Sequence, residues 1–529
     1  MAARNAFLAL LLLPLLSSPL LSRAQESSSF PVNVWPKPTS MSWAEPLMAM
    51  PVSSSFRIVG PSGNNPYLVL ATQRYTAMLF TERYRPIVRP AVNVTAAGDS
   101  IHSLTLVVSD LSAPLQDGVD ESYVLEILPT GAATITAATA WGAMHGLETF
   151  SQLSWRSASG KLLVAAGVRV EDRPLYQHRG LMLDTGRTYF PVLDILRTID
   201  AMAWNKMNVF HWHITDSQSF PIELASEPRL AEMGAYGEDM RYTVEDVTRI
   251  VEFAMSRGVR VVPEIDGPGH TASWAGAYPE AVSCAGKFWL PDANDWGTRL
   301  AAEPGSGQLN PLKSKTYEVV ANVINDITSL FPDGFYHAGA DEVTPGCWQT
   351  DPSIQADIDN GGTLSQLLER YVRAAGYRAI VSSATFYYLD CGHGDFVGNN
   401  SVYDDQRSDY DTQGGSWCGP FKTWQRVYDY DIVHGLTAQE AKLVIGGEVA
   451  LWTEQADATV LDARLWPRAS AMAEALWSGN RDAAGVKRYA EATDRLNDWR
   501  HRMVGRGVRA EPIQPLWCRT RPGMCNLVR

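Results

Sequence analysis

Two adjacent carboxylates, Asp341 and Glu342, close the stretch His337-Ala338-Gly339-Ala340-Asp341-Glu342. The apolar run Gly334-Phe335-Tyr336 before them follows Phe331-Pro332-Asp333, so it reads as a buried strand ending in a turn. In a parallel α/β barrel the working side chains sit at the C-terminal ends of strands, which suits such a pair to acid–base chemistry. The plain structural alternative is a helix N-terminus, where Asp and Glu complement the dipole. The surroundings of the pair decide between the two.

From Arg179 onward, strand-like runs are separated by helical stretches, the signature of parallel βα units. The runs are Gly180 to Asp184, Met207 to Ile214, Val259 to Asp266, Gly334 to Asp341, Arg378 to Ala384 and Leu443 to Trp452. Val192 to Trp204, Val244 to Arg257, Ala463 to Trp477 and Val486 to Val504 read as helices. That makes six strands where a closed barrel of this type needs eight. Polar residues gather at nearly every strand end: Asp184 and Arg187; His211, His213 and Asp216; Glu264, Asp266 and His270; Tyr388 and Asp390; Glu448, Trp452 and Glu454. One charge per strand is ordinary in an α/β protein, but the repetition points to a site.

Two motifs act as decoys. Gly267-Pro268-Gly269-His270-Thr271-Ala272 follows a strand as a dinucleotide fingerprint would, but Pro268 and the lack of a long apolar helix behind it weaken that match. His211 and His213 share a strand face and could reach one metal if His270 or His337 converged on them, which opens a metal-dependent hydrolase as an alternative. Neighbouring carboxylates constrain glycoside chemistry as well. A conventional retaining glycosidase needs two carboxyls roughly 5 Å apart on opposite sides of the scissile bond. Asp341 and Glu342 serve one side, so the nucleophile must be a distant carboxylate or the substrate itself.

The rest of the chain sets the context. With 529 residues, 45% hydrophobic and 19% charged, it can bury two domains, and a net charge of −13 argues against a nucleic-acid partner. Residues 1–24 read as a signal peptide: Arg4, the apolar core Ala6 to Leu16, and Ser22-Arg23-Ala24 as the cleavage site. No later run reaches transmembrane length, so no membrane span is expected after cleavage. In an oxidising compartment the six cysteines are expected to pair, and Asn93-Val94-Thr95 and Asn399-Asn400-Ser401 are sequons. Residues 31–174 read as an α+β supporting domain. Its strands are Leu104 to Val108, Tyr123 to Leu128 and Ala133 to Thr136, and its helix face is Trp141, Met144, Leu147, Phe150 and Leu153.

From Val32 on, the chain resembles the β-N-acetylhexosaminidases of glycoside hydrolase family 20. The blocks that carry the resemblance are Arg179 to Arg187, His211 to Pro221, Pro263 to Thr271, the Asp341-Glu342 block, and Gly446-Gly447-Glu448 through Trp452-Thr453-Glu454. The resemblance implies a (β/α)8-type TIM barrel over residues 175–529 and substrate-assisted, retaining hydrolysis of terminal GlcNAc or GalNAc from glycans. It makes Glu342 the general acid and later the base. Asp341 orients the 2-acetamido group, and Tyr388 holds its carbonyl. Asp216 and His270 form a relay behind Glu342. Arg187, Asp390 and Glu454 bind sugar hydroxyls, and Trp452 stacks on the ring. It also implies the pairs Cys284–Cys347 and Cys518–Cys525, which leaves Cys391 with Cys418. No metal or organic cofactor is expected, self-association into a homodimer is left open, and the destination is the vacuole, the lysosome or the exterior.

Two departures from the family stand out. Ala340 replaces the second glycine of the acid motif, a small-for-small change expected to matter little. More seriously, Leu364 to Ala375 reads as one helix running directly into Tyr377-Arg378-Ala379-Ile380. The family places two more strands there, each bringing a tryptophan to the sugar pocket, yet no tryptophan lies between Trp348 and Trp417. About 45 residues, the size of two strand–helix units, are missing near Val372 to Ala375. A non-catalytic glycan-binding or defective variant is therefore the other alternative.

Overall fold

Side chains that alternate between core and surface organise the first part of the chain. The strands are β1 (Ser40–Val59), β2 (Asn93–Val94), β3 (Ile101–Asp110), β4 (Tyr123–Ile127), β5 (Ala133–Thr139), β6 (Ser154–Arg156) and β7 (Leu162–Asp172), in sheet order β2-β1-β3-β5-β4-β7-β6. β4 and β5 pair antiparallel, with Leu125 opposite Ile135, and bury every second residue. β1 runs antiparallel to β7 over its first half and parallel to β3 over its second. Its register with β7 shifts between Trp43 and Met48, where Pro46 can sit without breaking a ladder. The helix Ala140–Gln152 is buried on all sides, with Thr139 Oγ1 accepting from Gly142 N at 3.3 Å as its cap. The computed structural model describes residues 32–526 except 62–64, 89, 91, 95–99, 294, 365, 367–377, 395 and 397–417. Residues 1–24 and Asn399 lie outside that set, and Asn93 is exposed on β2.

The second sheet is parallel. β8 (His178–Asp184), β9 (Val209–Thr215), β10 (Arg260–Ile265), β13 (Ala379–Val381) and β14 (Val444–Leu451) lie in the order β10-β9-β8-β14-β13, and β11 (Val282–Ser283) pairs antiparallel with β12 (Gln308–Leu309) across a long irregular connection. β8, β9 and β10 are buried on both faces, as parallel strands covered by helices must be. The helix Val192–Trp204 buries Ile195, Leu196, Ile199 and Met202 on one stripe. Val244–Met255 starts on a capping box between Thr243 and Asp246 and buries Val247, Ile250, Val251 and Ala254.

Three expectations are corrected. Gly334 to Asp341 is not a buried strand. It joins β10 through a single parallel bridge, Glu264 with His337, and residues 334–342 are half-buried or exposed. A parallel strand is held by neighbours on both sides, and among the described residues none pairs with the far side of this stretch. Arg378 to Ala384 forms only the three residues of β13 before the short helix Ala384–Tyr387. The helix expected over Ala463 to Trp477 is two, Leu461–Leu465 and Arg468–Ser478, because Pro467 cannot donate and disfavours helical backbone at Trp466. Nearly all of Leu364 to Ala375 lies outside the described residues.

Buried polar contacts tie the two sheets together. Lys206 Nζ lies 2.8 Å from the Asp172 carboxylate and 2.9 Å from Tyr123 OH, and the ion pair is fully buried. Trp35 near the start donates its indole N–H to the Ser470 carbonyl at 3.1 Å, and Lys37 N donates to Glu474 Oε2 at 2.7 Å. Disulfides join Cys284 to Cys347, Cys391 to Cys418 and Cys518 to Cys525. Among the described residues no helix is long and apolar enough to cross a membrane.

Candidate active site

The strand ends of the parallel sheet bring distant residues to one place. From the β9 end, Asp216 Oδ1 accepts from His270 Nδ1 at 3.1 Å, and Nε2 of the same ring lies 3.3 Å from Glu342 Oε2. Asp216 and His270 are buried, whereas the Glu342 side chain is half exposed, so a buried dyad backs an acid that faces outward. Burial opposes charge on each dyad member but is outweighed: Asp216 raises His270 well above the ordinary histidine value, and Arg187 first, then His270, hold Asp216 well below the carboxylate range. His270 has φ 54° and Glu342 φ 49°, left-handed backbone that turns both side chains to their partners.

Asp341 shares its surroundings with Asp266 and His270, their polar atoms lying within 4.8 Å of one another. Burial first, and the Asp341 charge second, push the Asp266 carboxyl up to about 8. Asp266 Oδ1 accepts from Ala340 N at 2.9 Å and from Gly267 N at 2.7 Å, which pulls the acid loop onto the β10 end. Gly339 (φ +61°) is indispensable there, since a Cβ would stand 1.6 Å from Asp266 Oδ1. Ala340 has φ +86°, so its substitution for glycine is not neutral: it places a Cβ in left-handed backbone at a cost of about 1–2 kcal/mol.

The opposite wall comes from the β14 end. Trp452 meets His213 edge-on at 5.0 Å, receives the Arg187 guanidinium over its ring at 4.9 Å, and lies 6.1 Å from the Tyr388 ring. Tyr388 joins the sheet edge through a parallel bridge to Ala450, and Asp390 Oδ1 accepts from Trp452 N at 3.4 Å. Burial pushes Asp390 up to about 7, and Glu454 well above the usual carboxylate value despite the nearby Arg187. Arg187 is ringed by carboxylates: Asp216 at 2.9 Å, Glu303 at 3.0 Å and Asp184 at 3.5 Å. Glu303 escapes sequence reasoning, since it lies in the irregular segment closed by Cys284–Cys347, where no strand end or periodicity marks it.

Both nitrogens of His211 and of His213 are given to carboxylates. His211 contacts Glu264 at 2.8 Å and Glu448 at 2.9 Å, and His213 contacts Asp216 and Glu264, each at 2.9 Å. Burial alone would lower His211, yet Glu448 and Glu264 push it up to about 10. A ring protonated on both nitrogens offers no lone pair to a metal. His211, Glu264 and His337 have the residue types of a zinc site, but both His211 nitrogens are taken by Glu264 and Glu448.

The comparisons with known proteins agree with one another. "Glycosyl hydrolase family 20, catalytic domain" matches residues 176–375 and 369–480, and "beta-acetyl hexosaminidase like" matches residues 34–153. The chain belongs to glycosyl hydrolase family 20. This family 20 protein is 39% identical to Beta-hexosaminidase 1 of Coccidioides posadasii over 79% of its own length and 80% of that protein. It is 31% identical to Beta-hexosaminidase 1 of Arabidopsis thaliana over 93% of each. Among solved structures, Flavobacterium johnsoniae chitobiase gives a TM-score of 0.69 at 25% identity, covering 90% of this chain and 73% of that one. A mutant Streptomyces plicatus beta-hexosaminidase in complex with product GlcNAc gives 0.65 at 26%, covering 92% and 97%. The family 20 protein thus has a TIM-barrel-type α/β catalytic domain with an N-terminal domain. It is a glycosidase that hydrolyses terminal N-acetylhexosamine residues.

Proposed function

We propose that this glycosidase works by substrate assistance, with Glu342 as acid and base. Glu342 protonates the glycosidic oxygen while the substrate's own 2-acetamido carbonyl oxygen attacks the anomeric carbon. The leaving group departs and an oxazolinium forms. Water activated by Glu342 then opens that ring and restores the starting configuration. Asp341 orients the acetamido group and balances the charge on the ring, and the Tyr388 hydroxyl donates to its carbonyl. Asp216 and His270 hold Glu342. Arg187, Asp390 and Glu454 take sugar hydroxyls, with Trp452 beneath the ring. The observation that carries this reading is the contact line Asp216–His270–Glu342, with Asp341 next in sequence to the acid. Glu264 and Glu448, the distant carboxylates that could serve as nucleophiles, are buried and engaged by histidines, which supports a nucleophile from the substrate.

On this reading Glu342→Gln removes most hydrolysis of a chromogenic GlcNAc glycoside, and Asp341→Asn impairs acetamido-bearing substrates in particular. A substrate whose acetamido carbonyl is a thiocarbonyl gives a stable thiazoline that inhibits competitively. Near-normal turnover by Glu342→Gln, or a glycosyl group trapped on Glu264 or Glu448, would overturn the assignment.

The reading extends to an incomplete barrel. The single bridge at His337, the three-residue β13 and a family match whose two segments meet at 369–375 all support the loss of two strands. Each would have added a wall to the sugar pocket, so turnover in this form is reduced and the longer form is the efficient enzyme. Transcripts read across the codons for Val372 to Ala375 test this; if no longer product exists and turnover is ordinary, the loss is refuted. The substrates are GlcNAc- or GalNAc-terminated glycans. Three disulfides support a secretory route ending in a vacuole, a lysosome or outside the cell, where the chain works alone or as a homodimer.

A further inference from the structure

The line of contacts behind Glu342 continues beyond Asp216. Asp216 Oδ2 accepts from His213 Nε2 at 2.9 Å, and His213 Nδ1 lies 2.9 Å from Glu264 Oε2. The Glu264 carboxylate also receives His211 Nε2 at 2.8 Å, and its other oxygen lies 2.8 Å from His337 Nδ1, which accepts from Gly339 N. Three imidazoles thus converge on one buried carboxylate, and an alternation of carboxylate and imidazole joins it to the acid. Beyond His211 the alternation runs to Glu448, which holds His178 as well.

We propose that Glu264 and His213 are positioning residues for Glu342, extending the Asp216–His270 relay by one further carboxylate–imidazole couple. The proposal rests on the reading of Glu342 as general acid. Asp216 has two oxygens and three cationic neighbours: Arg187 and His213 share Oδ2, and His270 takes Oδ1. If the His213 N–H no longer points at Oδ2, the carboxylate is free to turn toward Arg187, which lies 2.9 Å away. His270 then loses the acceptor that fixes its ring. The left-handed backbone of His270 leaves little room to compensate, so Nε2 swings away from Glu342. Glu264, 2.9 Å from His213 Nδ1, holds the ring from its other side and so keeps Nε2–H aimed at Asp216 Oδ2. Burial opposes the charge on His213, but Glu264 and Asp216 outweigh it and keep the ring doubly protonated.

A purely structural role and a positioning role separate on the leaving group. General acid catalysis is needed when the departing oxygen is basic and is nearly dispensable when it is not. The test is kcat/KM, which reports bond cleavage, for a GlcNAc disaccharide with a sugar leaving group and for 2,4-dinitrophenyl GlcNAc. Glu264→Gln is expected to lower the first about tenfold or more, on the scale of losing a supporting residue. It is expected to change the second by less than about threefold. An equal fall for both would show a purely structural role, and no fall would show that Arg187 alone suffices to hold Asp216; either would overturn the proposal. Glu342→Gln run alongside must show the same skew more strongly; if it does not, the acid assignment has failed and not the relay. If Glu264→Gln does not fold, His337→Gln replaces it, because that side chain is half exposed and lies 2.8 Å from one Glu264 oxygen. A smaller skew of the same sign is expected there, and none would refute the extension.

Discussion

Replacing Lys206 by Met would strand the Asp172 carboxylate, fully buried, without its cation. Breaking a buried ion pair from one side costs about 3–5 kcal/mol. Asp172 keeps the Tyr123 hydroxyl at 2.7 Å, the Trp477 indole N–H at 2.9 Å and Thr39 N at 2.8 Å, which puts Lys206→Met at the lower end, about 3 kcal/mol. Backbone strain does not confuse the comparison, since Lys206 has φ 55° and Met inherits the same conformation. Asp172→Asn strands the ammonium instead, between the Trp477 ring at 4.5 Å and the Tyr123 ring at 5.0 Å. Burial already pulls Lys206 below its ordinary value against the pull of Asp172, so the freed amine sheds its proton and the loss is again about 3 kcal/mol. The double variant strands no charge. It should lose about 3 kcal/mol where simple addition gives about 6, a coupling of about 3 kcal/mol. Urea titration followed by tryptophan fluorescence measures all four corners of the cycle, and Trp477 reports from beside the pair. Single variants that lose less than about 1 kcal/mol, or a double variant that loses the full sum, would refute the reasoning.

The remaining predictions concern the acid loop and pH. Ala340→Gly relieves left-handed backbone but loosens the unfolded chain, a net gain of about 0.5–1 kcal/mol; a lower urea midpoint would count against the strain. Asp266 and Asp390, pushed up to about 8 and about 7, bind protons in the folded chain that the unfolded chain releases near pH 4. Their contribution is complete below the unfolded value and is lost as pH rises through 7 to 8. The raised His211 works in the same direction up to about 10, whereas Asp216, Glu264 and Glu448, held low, lose theirs only at strongly acid pH. Tm should therefore fall between pH 5 and pH 8, less steeply in Asp390→Asn; a Tm that climbs toward pH 8 would contradict the buried neutral carboxyls.

What the sequence made legible was whatever its own residues determine. The helix Val192–Trp204 can be read from its apolar stripe, because burying that stripe is what makes it a helix. β9 and β10 are apolar enough to be covered on both faces, and they are. The run Gly334 to Asp341 has the same texture but not the same fate. A strand belongs to its neighbours as much as to itself, and no residue within the run says whether they exist. β1 is absent from the sequence reading for the opposite reason: it carries Pro46 and Pro51, residues that interrupt a strand pattern, yet a register shift against β7 accommodates the first. At the site, residue types at strand ends marked His211, His213, Asp216, Glu264 and His270 as a group. Their pairing into an alternating line depends on side-chain reach across strands, which spacing does not encode. Glu303 was invisible because a disulfide-closed irregular segment, not a strand, carries it to Arg187.

The docking of Trp35 and Lys37 against Ser470 and Glu474 has a consequence for how the chain is made. The two halves of that contact are 435 residues apart. At translation rates of about 5–20 residues per second, the first half waits about 20–90 s for the second to emerge. During that interval the indole of Trp35 lacks the Ser470 carbonyl and Lys37 N lacks Glu474. Domains fold N-terminal first during synthesis, and this one cannot finish until the last helices leave the ribosome. The nascent chain is then a long-lived client for whatever chaperones meet it, and a truncation just before Arg468 should remain one.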